Sequence, residues 1–354
     1  MLEAFGSARD ALAAGPAAWR EHGLGEAQAA LLRRPDAAVI ARGLDWLGGA
    51  GHHLVACHAP DYPATLARSP YPPLALFVAG EPAALWHPMV AVVGSRAATP
   101  AGRENAAAFS RGFVAAGLAV GSGLAAGIDT AAHQAALDSG GLTVAVLGTG
   151  ADVAYPASNR ALHAAIEARG ALVSEHLPGT APHKLHFPSR NRILAGLALG
   201  TVVIEAAERS GALITARLAA EAGREVFAVP GSIRNPLARG CHRLIRDGAQ
   251  LVESHREVTT AVGAAALDLA ADLRGRLGDP IQQTGCLPGA NATDGAGADP
   301  QRDRVWSALG TDPTTMDELV DRTGLTTADL SPILLAMELD GRMSVQHGRY
   351  YRMA

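Results

Sequence analysis

Residues 89–150 read MVAVVGSRAATPAGRENAAAFSRGFVAAGLAVGSGLAAGIDTAAHQAALDSGGLTVAVLGTG, and the order of elements within them decides the fold. Three short apolar runs, MVAVV (89–93), GLAVGSG (117–123) and LTVAVLG (142–148), pass into glycine. None alternates strictly between polar and apolar, which is how a strand buried on both faces of a parallel sheet reads. Between them, PAGRENAAAFSRGFVAAG (100–117) and GIDTAAHQAALDSG (127–140) have the length and pattern of crossover helices.

The pattern continues downstream. GALVSE (170–175), GTVVIEA (200–206) and REVFAVPG (224–231) are further strands, and SNRALHAAIEARG (158–170), SRNRILAGLALG (189–200) and GALITARLAAEAG (211–223) are helices. This repetition predicts an α/β fold with a doubly wound, mostly parallel, Rossmann-like sheet. Residues 1–58, with GLGEAQAALLRR at 23–34, read as a small helical domain of the SAM or HhH type. Prolines 60, 63, 70, 72, 73, 82 and 88 then punctuate an extended segment that includes a strand, LALFVAG (74–80). The extended Rossmann-like domain is assigned to 59–264. Residues 265–300 lose periodicity and read as a flexible linker. Residues 301–354 give three short helices and a hairpin, RMSVQHGRYYRM (342–353), the pattern of a winged helix. Its third helix carries acids and no base between Thr326 and Asp340, a poor equipment for reading a major groove.

With 354 residues and 48% apolar composition, the chain can build more than one core. The net charge of −4 does not announce a nucleic-acid binder, but its distribution is uneven. Between Ala181 and Gln250, ten Lys or Arg residues face five carboxylates. Cys57, Cys241 and Cys286 are odd in number and far apart, which fits a reducing compartment and no disulfide framework. The N-terminus lacks the pattern of a signal peptide and no apolar run is long enough to span a membrane, so a cytoplasmic protein is expected.

In a doubly wound sheet, ligands bind beyond the carboxyl ends of the strands. Four such ends are rich in glycine and hydroxyls: Gly94-Ser95-Arg96, Gly121-Ser122-Gly123, Gly148-Thr149-Gly150 and Pro230-Gly231-Ser232. Together they suit phosphate. Gly121, Gly123 and Ala126 match G-x-G-x-x-A, but no acid follows the next strand and no P-loop is present, so neither NAD nor ATP is expected. His52, His53, Cys57 and His58 lack a paired metal-ligand frame, and Ser95, Ser122, Ser189 and Ser210 lie in no G-x-S-x-G elbow. No catalytic site, metal or cofactor is assigned.

The most specific stretch is HKLHFPSRNRILAG (183–196). Lys184 offers charge to a phosphate and Phe187 a ring face to a base, the two requirements of single-stranded nucleic acid. Arg190, Asn191 and Arg192 are placed in the first turn of the following helix. Two readings of the arginines stand: ion pairs with Glu175, Glu205 or Asp129, or contact with a phosphodiester backbone.

GSR (94–96), SGLAAGID (122–129), GTGADVAYP (148–156), FPSRNRILAGL (187–197), VVIEAAERSGALITA (202–216) and REVFAVPGSIRNPLARGCHRLIRDGA (224–249) together resemble the DNA-processing protein DprA/Smf family. DYPATLARSPYPPLALFVAG (61–80) and the C-terminal pattern extend the resemblance over nearly the whole chain outside the linker. It implies a homodimer that binds single-stranded DNA, protects incoming DNA in natural transformation and loads the RecA recombinase. On that resemblance Arg96, Lys184, Phe187, Arg190, Asn191 and Arg192 line the DNA pocket, and Ser95, Gly121, Ser122 and Gly123 face phosphate. One departure is His242, where the family usually has asparagine. The competing enzyme reading is a phosphoribohydrolase using Glu205 as base, although the P-G-G-x-G-T run of such enzymes is missing. A winged-helix transcription factor leaves the motif-bearing core unexplained.

Overall fold

The computed structural model describes residues 2–278 and, beyond them, 305–306, 308–309, 314–325, 330, 334, 343–346 and 349–352. Two compact units divide the chain near residue 280. In the first, nine strands form one sheet: β1 (His52–Ala56), β2 (Ala75–Gly80), β3 (Met89–Val93), β4 (Ala119–Ser122), β5 (Thr143–Val146), β6 (Ala171–Ser174), β7 (Gly200–Val203), β8 (Glu225–Ala228) and β9 (Gln250–Leu251). Their order is β1-β2-β6-β5-β4-β3-β7-β8-β9. All pairings from β6 to β9 are parallel, whereas β1·β2 and β2·β6 are antiparallel. The chain starts the parallel region at β3, winds outward to β6, then crosses back to β7 on the other side of β3. That reversal opens a crevice beyond the carboxyl ends of β3, β4 and β7.

Buried strands feed both faces. Met89, Ala91 and Val93 pack against Ile193, Leu194 and Leu197 of the helix His186–Leu197, while Val90 and Val92 join Phe109, Phe113, Ile128 and Ala132 on the opposite side. Helices Pro100–Ala115 and Ile128–Asp138 therefore cover one face, and His186–Leu197 and Gly211–Glu221 the other.

Three sequence expectations need correction. His52–Ala56 belongs to the sheet, paired antiparallel with β2, and not to the helical domain, whose helices end at Leu47. The linker does not begin at 265: the helix His255–Gly278 runs on, seating Val258, Val262 and Leu269 in the core at helical spacing. Arg190, Asn191 and Arg192 lie in the second turn of their helix, because it opens at His186. Pro188 is tolerated there since first-turn N–H groups have no partner four residues back.

In the second unit, β10 (Thr314–Thr315), β11 (Met343–Gln346) and β12 (Arg349–Arg352) form a three-stranded sheet in the order β10-β12-β11. The helix Met316–Thr323 is closed by a Thr315/Glu318 capping box. Val305, Leu309, Leu319, Leu330 and Leu334 make its core. Residues 279–300 of the stretch read as linker, part of the first helix read for the winged helix and most of the third lie outside the described residues. Among the described residues no helix is long and apolar enough to cross a membrane.

A buried histidine gives the core a pH dependence. Thr143 Oγ1 donates to Val120 O at 2.7 Å, so His133 Nδ1, 2.7 Å from the same hydroxyl, must be the donor to it. A second proton on Nε2 would find no acceptor among the described residues, and burial pushes the His133 pKa down to about 3. The unfolded chain protonates this ring near pH 6.5, the folded one does not. Stability is thus complete above pH 6.5 and is lost as pH falls toward 3, at about 1.4 kcal/mol per pH unit from this group. Urea unfolding at pH 6.5 and 5.0 is expected to show about 2 kcal/mol more loss in the wild type than in His133→Gln.

Candidate nucleic-acid interface

A concavity of about 470 Å³ occupies the crevice. Val93, Gly94 and Arg96 come from the end of β3, Gly123 and Ala125 from the end of β4, and Tyr155 from the loop after β5. His183, Lys184, Phe187, Arg190 and Asn191 form the side toward helix His186–Leu197, and Gly211, Ile214 and Thr215 the facing wall. Six of the ten sequence-derived site residues therefore meet here: Arg96, Gly123, Lys184, Phe187, Arg190 and Asn191.

Arg96 is exposed on a loop that is fastened at the preceding residue, Ser95. Ser95 N–H donates to Glu205 O at 2.8 Å and Ser95 O accepts from Ile128 N–H at 3.2 Å. The Arg96 guanidinium sits 5.4 Å from the Phe187 ring centre, within cation–π range. Tyr155, two-fifths exposed, tilts against Phe187 with ring centres 5.2 Å apart. Lys184 is exposed beside them. The concavity thus joins two exposed cations, Arg96 and Lys184, to a pair of adjoining rings, which suits alternating phosphate and base.

Other predicted residues do different work. Arg190 is buried: Nη2 donates to Gly123 O at 2.9 Å, and Nη1 donates to Val146 O. Burial lowers its pKa to about 10, against the attraction of Asp129, while Arg96 pushes the same way as burial. Asp129 is buried too, which raises its pKa, an effect opposed by Arg190 and by the amides of Ala125 and Gly123. Because Asp129 Oδ2 accepts the Gly123 N–H at 3.2 Å, that amide is not available to a phosphate. Arg192 leaves the concavity altogether, donating to Tyr71 O at 2.6 Å and pairing with Glu175. The Ser122 hydroxyl donates to Val92 O at 2.6 Å inside the sheet, and Ser95 Oγ accepts the Ala97 N–H at 3.2 Å. Gly121 packs against Met89 and Leu194. None of these four lines the concavity.

Glu205, the base of the enzyme reading, is buried and engaged elsewhere. Its carboxylate accepts the Thr99 N–H at 2.9 Å and the Thr99 hydroxyl at 2.6 Å, so it anchors the N-cap of helix Pro100–Ala115. His242 Nε2 lies 2.9 Å from Gly231 O and ties helix Arg239–Arg246 to the loop after β8. His52 stacks on Trp46 at 4.0 Å and lies 3.6 Å from Glu167. Among the described residues no cluster of His, Cys, Asp or Glu could hold a metal ion. Sequence reasoning left Tyr155 unassigned, although an aromatic after the Gly-Thr-Gly strand end was a usable signal.

Residues 53–263 match the family model described as DNA recombination-mediator protein A, a span that includes β2 to β9, all of β1 but His52, and every residue of the concavity. The chain belongs to this family. Residues 289–349 match the DprA winged helix domain, which begins within the stretch read as linker. Among relatives of the DNA recombination-mediator protein A family, protein Smf of Escherichia coli is 38% identical over 89% of this chain and 81% of its own length. The DNA processing protein DprA of Streptococcus pneumoniae is 50% identical over 56% of this chain and 70% of its own. An X-ray structure of DprA from S. pneumoniae superimposes with a TM-score of 0.60 at 44% identity, covering 65% of this chain and 79% of that one. A Helicobacter pylori DprA structure, described as giving insight into that protein's single-stranded DNA binding mode, reaches 0.53 at 26% identity over 58% of this chain and 94% of its own.

Proposed function

We propose that this chain binds single-stranded DNA in the crevice beyond β3, β4 and β7 and acts as a recombination mediator. The observation that carries the reading is the meeting of Arg96 and Lys184 with the Phe187–Tyr155 rings in one open concavity. Cations track the phosphates, ring faces stack bases of any identity, and little else there reads sequence. Membership of a recombination-mediator family supports the assignment, as does the DNA-binding mode named for the H. pylori relative. Protection of incoming DNA in transformation, handover to RecA, assembly as a homodimer and action in the cytoplasm follow from the family resemblance.

The chain binds and does not turn over nucleotides. Glu205 holds a helix cap outside the concavity, which deprives the phosphoribohydrolase reading of its base. Fluorescence anisotropy with a labelled oligo-dT is expected to show binding that weakens with salt, at a log–log slope of about −0.7 per phosphate contact. A duplex of equal length should bind more weakly, Glu205→Gln should leave a folded protein's affinity unchanged, and RecA filament assembly on the strand should accelerate. No binding at low salt, together with base release from a nucleoside monophosphate that Glu205→Gln abolishes, would establish the enzyme instead.

A further inference from the structure

The turn Gly123-Leu124-Ala125 forms part of the concavity wall, and five of its backbone polar groups are held by side chains from behind. Asp129 Oδ2 accepts the N–H of Gly123 at 3.2 Å and of Ala125 at 3.3 Å. Arg190 Nη2 donates to Gly123 O at 2.9 Å, Asn159 Nδ2 to Leu124 O at 3.0 Å, and Thr130 Oγ1 to Ala125 O at 2.8 Å. Leu124 itself is buried at φ 56°, in the left-handed region that a leucine seldom occupies. Such a residue persists only where its surroundings over-determine it.

Two of those surroundings are ionisable and buried, which is an expensive way to fill a core that apolar side chains would fill as well. What apolar side chains cannot do is accept two amides and donate to a carbonyl of one turn. The same geometry commits Arg190 to the wall, although it also borders the concavity. Each of its terminal nitrogens donates to a backbone carbonyl, and its Nε is buried.

We propose that Asp129 and Arg190 are positioning residues for single-stranded DNA, holding residues 123–125 in the shape the strand meets while touching no part of the strand. This rests on the concavity being the DNA site. A cation on a phosphate contributes to the salt slope, whereas a residue acting through the wall changes affinity equally at every salt concentration. Lysine cannot replace Arg190, because an ammonium lacks the planar fork that spans Gly123 O and Val146 O.

The test uses the full chain with Asp129→Asn, Arg190→Lys, Arg190→Met and Asn159→Ala. Amide hydrogen exchange at Gly123 and Ala125 is measured in the free protein, and oligo-dT affinity across a salt series. In Asp129→Asn and both Arg190 variants, exchange at the two amides is expected to accelerate about tenfold or more, as loss of a buried hydrogen bond implies. Affinity is expected to fall about tenfold, with an unchanged salt slope. A slope reduced by about 0.7 in Arg190→Met, with normal exchange and full binding by Arg190→Lys, would make Arg190 a phosphate contact and overturn the proposal. Should the charge variants fail to fold, Asn159→Ala removes only neutral hydrogen bonds, one to Leu124 O of the turn and one to the Thr130 hydroxyl that holds Ala125 O. Faster exchange with weaker binding supports the proposal, and faster exchange with wild-type binding refutes it. Absence of binding by the wild type would overturn the reading of the concavity, whereas normal wild-type binding with unmoved exchange in Asp129→Asn would overturn the positioning role.

Discussion

Replacing Arg96 and Lys184 together by alanine is expected to weaken single-stranded DNA binding by about a hundredfold or more at moderate salt, taking roughly 1.5–3 kcal/mol for each charged hydrogen bond. Both side chains are exposed at the concavity and engage no carboxylate among the described residues, so their removal leaves no buried group unpaired. Folding stability should therefore move by less than about 0.5 kcal/mol, as at ordinary surface sites. The log–log salt slope should become shallower by about 1.4, two contacts at about 0.7 each. Arg192→Ala makes the contrasting control. Its guanidinium is tied to Tyr71 and Glu175, so stability should fall while the slope stays. A double variant with wild-type affinity would remove the two cations from the binding surface.

The largest expected loss of stability comes from Gly127→Ala. Gly127 adopts φ 85° and ψ −118°, outside the regions open to residues with a Cβ. A Cβ there would also lie 2.3 Å from Ser95 O and 2.7 Å from Arg96 O, both backbone atoms that cannot swing aside. Strain of about 1–3 kcal/mol adds to an overpacking term of about 1–3 kcal/mol, so a loss of about 3 kcal/mol or more is expected in urea unfolding. Gly140 isolates the first term, since it has φ 70° with open space around its Cβ position. Gly140→Ala should lose only about 1 kcal/mol. Equal losses at the two positions would show that the close approach at Gly127 is relieved by movement. Because the Arg96 loop is what Gly127 presses on, its alanine variant should also bind DNA more weakly.

The parallel strands were legible because burial on both faces leaves an apolar run between glycines, and β3 to β8 fall inside the runs read from the sequence. Edges were less legible. β9 is two exposed residues, Gln250–Leu251, and its pattern carries no signal at that length. In β1, His-His-Leu-Val-Ala buries only Val55, so nothing in its composition separates it from the helices before it. The Ala-rich end of helix His255–Gly278 was masked by the Gly- and Pro-rich text that follows.

At the site, residue types were easier to read than their directions. Lys184, Phe187 and Arg96 follow from charge and an aromatic placed at strand ends. Which arginine of the Arg-Asn-Arg run points inward does not follow. Two residues apart on a helix means about 200° around it, so Arg190 and Arg192 had to diverge, and one went beneath the wall while the other went out to Glu175. Likewise the glycine-rich loop after β4 promised free amides, but Asp129, four residues beyond Ala125, turns back to take two of them. Such local competition between a side chain and a ligand for the same N–H is invisible until the loop is built.

Photo-crosslinking with an oligonucleotide carrying 5-bromodeoxyuridine, read by mass spectrometry of the digested protein, tests the central claim most directly. A base stacked in the concavity should yield adducts on the peptides that hold Phe187 and Tyr155, and they should vanish with excess unlabelled oligo-dT. Adducts confined to residues 1–58 or 301–354 would contradict the account and move the DNA site off the crevice of the sheet.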